Sequence, residues 1–382
     1  MTHFLPILGV ILVILIRNTR SGGTGIYRPK RAPRAFKPAP ASFDAAAYGL
    51  APREALDPTR SGPPATDRAC RQSQAVADAA WAGDWRAAAA HLEAAHGDWD
   101  EHWSRFELLR SIARRDDGWL TAWREAVPSS CDAAALAADL MVHQAWAIRG
   151  SGYAHEVPAA NMAKFRALLP AAIEAAQRAA HLDPRNPAPW VVMVTAARGA
   201  QYRPDRFQPL WDGLVARAPH HYEGHWQGMQ YWCAKWFGSD AKMLGFAERA
   251  MDGAPAGSPL AGIYLHALTE LEKRRTALPS GGAAKKRLLA VADALALVPA
   301  EEENLPTLRH LLARYLLQAG LYEAALQQFR LIGPWCGTPV WSEQGDPVEV
   351  FHAARAVAVA KSKAKPLPPE LREKHKDVAL HL

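Results

Sequence analysis

The 382-residue chain lacks the short motifs on which most enzyme classes depend. It has no Gly-x-Ser-x-Gly nucleophile elbow and no His-Glu-x-x-His zinc pair. The Gly-rich break at 149–153 has no strand before it and no Lys-Ser or Lys-Thr after it, so we interpret it as a loop rather than a phosphate site. We assign no catalytic residue, no metal and no cofactor, and we expect binding rather than catalysis.

Cysteine is scarce, and its spacing excludes a small disulfide-rich domain. The four cysteines are Cys70, Cys131, Cys233 and Cys336, and no two of them form a CxxC pair. An oxidised framework would cluster them within a short segment. We expect buried, reduced thiols, and a zinc site or a disulfide is the alternative.

Signals for β-strands are nearly absent, because the chain has no alternating β-branched run and no Asn-Gly hairpin turn. Residues 67–363 instead read as one helical segment after another, separated by Gly, Pro and Asp. Apolar residues make up 49% of the chain, and it has 14 Trp. We expect alanine-lined helix contacts filled by indole rings.

Three segments have the pattern of a helical hairpin or of the junction between two hairpins: 75–95, 173–190 and 311–332. The last resembles a tetratricopeptide repeat, with Gly320 at the turn and Ala325 at the helix crossing. The predicted fold class is all-α, a tetratricopeptide-like α-solenoid of antiparallel helix hairpins with divergent repeats.

Acidic residues are absent from 17–37, which holds seven Lys and Arg, and this segment follows thirteen apolar residues at 4–16. No Lys or Arg precedes the apolar run, and positive charge behind it favours a cytoplasmic C-terminal side. We predict an uncleaved membrane anchor at 1–16 and a cytoplasmic body. A cleaved signal peptide and an apolar segment packed on the body are the alternatives.

The composition predicts two basic flanks around a slightly acidic body. Residues 17–66 are rich in Gly, Pro and Arg and predict a disordered linker. Residues 364–382 predict a basic tail. Because the flanks carry the positive charge, the sequence pI near 9.3 does not indicate nucleic-acid binding.

Tryptophan recurs at a spacing of four, which puts two residues on one helix face. We expect this for Trp99/Trp103, Trp119/Trp123 and Trp232/Trp236, as core stripes or as a stacking platform. Trp81 and Trp85 are also four apart, but Gly83 and Asp84 predict a turn between them.

Four segments, 97–130, 143–157, 179–194 and 225–250, resemble an uncharacterised bacterial family, the domain of unknown function 4034. The most specific piece is Tyr231–Ser239, which reads YWCAKWFGS. The resemblance would cover about residues 67–275 of this sequence. It implies a helical, repeat-like fold and carries no activity and no site residue.

Two neighbouring clusters are the candidate binding residues. His221 and His225 would share a helix side, with Glu223 directed elsewhere, and this pattern is either an unusual metal pair or ordinary packing. Trp232, Lys235 and Trp236 place a cation between two indoles, and Ser239 belongs to a turn that caps the next helix.

We therefore expect a membrane-associated scaffold for an unknown protein or peptide. The first alternative is an enzyme of unknown reaction with its site near 231–239. The second is a membrane-surface adaptor that works through the basic flanks.

Overall fold

The computed structural model describes residues 36–95, 97–150 and 156–368. Within this part of the chain there are sixteen α-helices and no β-strand, apart from one isolated bridge between Asp57 and Trp335. The predicted all-α class is therefore confirmed. Helix packing divides the chain into two compact units, with the boundary between Phe246 and Ala247. The predicted anchor at 1–16 lies outside the described residues.

The first unit takes in the described residues from 65 to 246. Its helices are α1 (Asp67–Trp81), α2 (Trp85–Glu93), α3 (Trp99–Ala113), α4 (Gly118–Ala126), α5 (Cys131–Arg149), α6 (Ala159–Leu182), α7 (Ala188–Gly199), α8 (Pro204–Val215) and α9 (Tyr222–Tyr231). The unit boundary falls within α10 (Asp240–Asp252).

Helices of the first unit pack in a regular alternating order. Each of α1, α3, α5 and α7 packs against the helix that follows it and also against the next odd-numbered helix. We call α1, α3, α5, α7 and α9 the row of alternate helices. The most extensive contact in this unit is between α5 and α6.

Two turns predicted from the sequence, at 83–84 and at 183–187, lie between helices in the structure. Gly83 has φ +90° after α1, and Asp84 begins α2 by accepting a hydrogen bond from the Arg86 N–H. The Asp-Pro-x-Asn-Pro stretch at 183–187 lies between α6 and α7, as its pattern predicts.

Small residues line the helix contacts, and indole rings pack against them. Ala133, Ala138 and Ala145 on α5 are completely buried in the core of this unit. A Cβ atom on Gly213 of α8 would overlap the indole of Trp190 on α7. The absence of a side chain there lets the two helices approach closely.

The tryptophan pairs have different outcomes. Trp119 and Trp123 share one face of α4, with ring centroids 6.4 Å apart. Trp232 and Trp236 do not share a helix, because α9 ends at Tyr231. That prediction was wrong because the chain turns at this point: a Cβ on Gly238 would overlap the backbone of Trp232.

The second unit takes in described residues 36–64 and 247–368. Its helices, after the last turns of α10, are α11 (Ile263–Lys273), α12 (Gly281–Ala296), α13 (Leu305–Gln318), α14 (Tyr322–Ile332), α15 (Pro339–Ser342) and α16 (Pro347–Lys361). Gly320, with φ +73°, forms the predicted turn between α13 and α14. Ala325, predicted at the helix crossing, is buried, and Phe329 is buried as well.

Residues 36–64 fall in the predicted disordered linker, yet they lie against the helices of the second unit. The Arg355 guanidinium on α16 donates to the Ala51 carbonyl over 2.8 Å, and the Asp57 N–H donates to the Pro334 carbonyl. His310 pairs with the Ser61 carbonyl and accepts from the Trp341 indole N–H. The buried apolar residues of this segment are mostly alanines: Ala45–Ala47 and Ala51, with Leu50 and Leu56. A composition rich in Gly, Pro and Arg does not indicate this packing.

No helix among the described residues is long and apolar enough to cross a membrane. The four cysteines are unpaired, and Cys131, Cys233 and Cys336 are buried while Cys70 is half-buried.

We expect Gly213→Ala to lower the free energy of unfolding by about 1–3 kcal/mol, because the new methyl group displaces the Trp190 indole. Gly282→Ala is the matched control, since a Cβ there meets nothing within 4 Å and a helical Ala is favoured over Gly. Thermal unfolding followed by circular dichroism compares the two. Equal stability of both variants would show that α7 and α8 do not require the close approach.

Candidate functional site

The first predicted cluster lies at the start of α9. His221 is the N-cap, and its Nδ1 accepts a hydrogen bond from the Gly224 N–H over 3.2 Å. Its ring packs edge-on against Trp103 of α3, with centroids 5.0 Å apart. His221 is therefore built into the helix start, and burial lowers its pKa to about 3.

His225 lies within α9 and has different neighbours from His221. Its ring packs against Trp211 and Phe246, and its Nδ1 pairs with the His221 carbonyl over 3.0 Å. Burial lowers the pKa of His225 to about 4. The part of the chain that the structure describes holds no group of three His, Cys, Asp or Glu side chains arranged to bind a metal ion.

The second predicted cluster lies in the turn after α9. The Lys242 ammonium is 5.5 Å from the Trp232 ring centre, and the Arg198 guanidinium is 5.6 Å from that of Trp236. Lys235 is exposed. The Ser239 hydroxyl accepts from the Lys242 N–H over 3.1 Å, which is the predicted cap of α10.

Glu223 belongs to a group of charged side chains that the sequence did not predict. We call Glu107 and Arg110 on α3, Asp139 on α5 and Glu223 on α9 the ionic cluster. Arg110 Nη2 lies 2.5 Å from Glu107 Oε1, and Arg110 Nε lies 3.8 Å from Asp139 Oδ2. The Asp139 side chain is 9% exposed, against 26% for Arg110 and 31% for Glu107, so the cluster runs from a buried end to a solvent-accessible one.

The cluster shifts the protonation equilibria of its members. Burial, together with the nearby Glu107 carboxylate, raises the pKa of Glu223 to about 7, against the opposing effects of the Gln227 hydrogen bond and the Arg110 charge. Burial also raises the pKa of Asp139. Burial alone would lower the pKa of Arg110, but its three carboxylate neighbours raise it overall, so Arg110 stays charged.

Two buried oxygen atoms, one in the ionic cluster and one beside it, have no hydrogen-bond donor among the described residues. They are Asp139 Oδ2, which has only the 3.8 Å ion pair, and Gln227 Oε1. Gln227 Nε2 donates to Glu223 Oε1 over 2.8 Å, which places the amide head beside the cluster. Buried acceptors without donors are uncommon and unfavourable. They mark a position where a donor-bearing group would be stabilised.

Arg198 on α7 connects the ionic cluster with the aromatic residues. Its guanidinium lies 5.4 Å from the ring centre of Trp146 on α5, and its charge lowers the pKa of Glu223. Trp146 and Trp236 meet edge to face, with centroids 6.0 Å apart. Carboxylates, guanidinium groups and the Trp146 indole therefore belong to the row of alternate helices, and Trp236 lies beside Trp146 from the turn after α9.

Sequence reasoning found Glu223 but missed Glu107, Arg110 and Asp139. These residues come from helices far apart in the chain, so no local spacing joins them. The available signals were the Glu107/Arg110 spacing of three and a lone acidic residue, Asp139, within the apolar run AALAADLMV.

No family model matches the chain. No curated protein is significantly similar to it in sequence. The resemblance to the domain of unknown function 4034 therefore stays a prediction.

We expect Arg110→Met to destabilise the protein by about 1–3 kcal/mol, between the values typical of exposed and of buried ion pairs. The loss should arise because Asp139 and Glu223 keep their buried carboxyl groups without the cation. Chemical denaturation measures the change, and carboxyl NMR should show the pKa of Glu223 rising above its wild-type value.

The double variant Arg110→Met/Asp139→Asn should recover part of that stability, because it also removes one unpaired negative charge. A double variant no more stable than Arg110→Met would mean that Arg110 contributes by packing and not by charge.

Proposed function

We propose that the chain is a helical-repeat scaffold that binds a segment of another polypeptide along the row of alternate helices. The observation that carries this proposal is the ionic cluster. Its charged side chains come from three helices of the row, next to the two aromatic rings that Arg198 contacts. Partly exposed charged groups beside indoles are suited to recognising a polypeptide.

The alternating order of helix contacts supports the α-solenoid part of the proposal. Repeat solenoids stack helical hairpins so that one helix of each hairpin lines a common surface, which typically receives a partner. The charged residues lie on that same set of helices: α3, α5, α7 and α9. Polar groups gathered on the row are consistent with a surface selected for binding.

A second candidate function is an enzyme, and one observation favours it. The pKa of Glu223, about 7, suits a general acid or base at neutral pH. Structural ion networks also shift carboxyl pKa values, and Glu223 is here hydrogen-bonded to Gln227 within such a network. Binding is therefore the proposal that the geometry supports better.

We also propose that residues 4–16 hold the scaffold at a membrane with its body in the cytoplasm. The support comes from the sequence alone: an uncharged apolar run followed at once by a basic segment. Basic flanks could add attraction to anionic lipid, which is the adaptor alternative.

The binding proposal predicts site-specific photo-crosslinking in cells. A photoreactive amino acid at Arg114, exposed directly after the end of α3, or at His143, half-buried on α5, should form adducts with a discrete polypeptide. The control position is Glu174, exposed on α6, outside the row. Adducts of equal yield from all three positions, or from none, would refute binding along the row.

The anchor proposal predicts that the full chain stays in the membrane pellet after an alkaline wash, while a variant without residues 4–16 becomes soluble. A peripheral adaptor would instead be extracted by the wash. N-terminal sequencing of the mature protein identifies a cleaved signal peptide, which would contradict an anchor.

A further inference from the structure

The ionic cluster has a buried end that is rich in acceptors. Glu107 and Asp139 pair with Arg110, and the Glu223 carboxyl group acts on it electrostatically. Among the described residues, Asp139 Oδ2 and Gln227 Oε1 have no hydrogen-bond donor. Gln227 is uncharged, so its free oxygen is an indication independent of the acidic residues. A ligand that fits here must bring several hydrogen-bond donors.

The need for hydrogen-bond donors and for positive charge restricts the chemical groups that could bind here. A carboxylate or phosphate group brings no donor for these oxygens and would be repelled by Glu107, Asp139 and Glu223. An ammonium group is a compact point charge with three donors. A guanidinium group presents five N–H donors in a planar fork and can serve acceptors on separate helices at once.

We propose that the ionic cluster binds the guanidinium group of an arginine side chain in a partner polypeptide. Asp139 and Gln227 accept hydrogen bonds from it, and Glu223 supplies the neutralising charge. The inference rests on the proposed scaffold function and names the chemistry of the partner. Arg110 stays paired with Glu107, its 2.5 Å neighbour, when the ligand is bound.

The probe is an N-acetylated, fluorescein-labelled hexa-arginine peptide, with hexa-lysine and hexa-glutamate peptides of the same design. Anisotropy titrations use the full chain in detergent at physiological ionic strength, where diffuse surface attraction is largely screened. We expect hexa-arginine to bind at least about tenfold more tightly than hexa-lysine, because a planar guanidinium group can donate to several acceptors at once and an ammonium group is a compact point charge. Equal binding of the two cationic peptides would overturn the guanidinium assignment.

Three variants test the location. Gln227→Met keeps net charge and approximate size but removes the free oxygen, and Glu223→Gln removes the neutralising charge. Both should weaken hexa-arginine binding by about tenfold, the size expected for loss of a hydrogen bond to a charged group. Glu93→Gln removes the same charge from an exposed position on α2 and should change affinity less than about twofold. Equal losses in all three variants would show diffuse attraction and overturn the site.

Measuring hexa-arginine affinity as a function of pH distinguishes the loss of the Glu223 charge from a general loss of folded structure. The groups facing Glu223 are Glu107 and Arg110 from α3 and Arg198 from α7, and His143 on α5 is near Arg110. The pKa of His143 is about 4 and that of Glu223 is about 7, so Glu223 changes charge near neutrality and His143 does not. Hexa-arginine should bind about five- to tenfold more tightly at about pH 8 than at about pH 6, because the ionised Glu223 carboxylate attracts the ligand. Glu223→Gln should abolish that difference, and a difference that persists in the variant would overturn the role of Glu223.

The two proposals can fail separately. Adducts at Arg114 and His143 without hexa-arginine binding would mean that the row binds a partner by other contacts, so only the guanidinium inference fails. Absence of both results would refute the scaffold and the inference together. Circular dichroism of each variant confirms that it folds before its affinity is compared.

Discussion

Close helix approach is the constraint on which the first unit depends. Alanines at 133, 138 and 145 bury no more than a methyl group each, so the backbones of α5 and its neighbours can approach closely. Indole rings then fill the remaining space, as Trp190 does above Gly213. Larger residues at these crossings would separate the helices, and the charged side chains of α3, α5 and α9 would no longer meet.

The ionic cluster forms because the helices pack closely, but burying its charged groups lowers the stability of the fold. Placing Asp139 and part of Arg110 away from water is unfavourable unless each charge has a partner, and the mutual pairing of Glu107, Arg110 and Asp139 offsets much of the loss. Two oxygens are left without donors. A protein that needed only stability would be served better by apolar residues, and the retained polar atoms are therefore our reason for placing binding here.

The second unit illustrates a different use of buried polar groups. Its segment at 36–64 has mostly small apolar side chains, and side chains on the helices also bind its backbone. His310 accepts from the Trp341 indole at Nδ1 and so donates from Nε2 to the Ser61 carbonyl, which requires a neutral ring. Burial lowers the pKa of His310 to about 4, in agreement with that requirement.

Local features were readable from the sequence because their causes are local. Gly83 and Gly320 adopt positive φ, which glycine accepts at no steric cost, and Asp84 and Ser239 cap helices by bonding to residues two or three positions away. The all-α class followed from alanine-rich helical stretches and missing strand patterns. The end of α9 was misjudged because the chain turns there and brings Gly238 against the Trp232 backbone, a close approach that helix propensity does not indicate.

The sequence by itself determined the helical class, several turns and caps, and the apolar and basic character of the N-terminal residues. Only the tertiary structure decided that Glu107, Arg110, Asp139 and Glu223 meet, since these residues span more than a hundred positions and their encounter depends on packing between helices. It also decided that the two histidines of the predicted pair contact different aromatic rings, Trp103 for one and Trp211 for the other. Spacing along a chain specifies a helix face, but the surroundings of that face are set by helices that are distant in sequence.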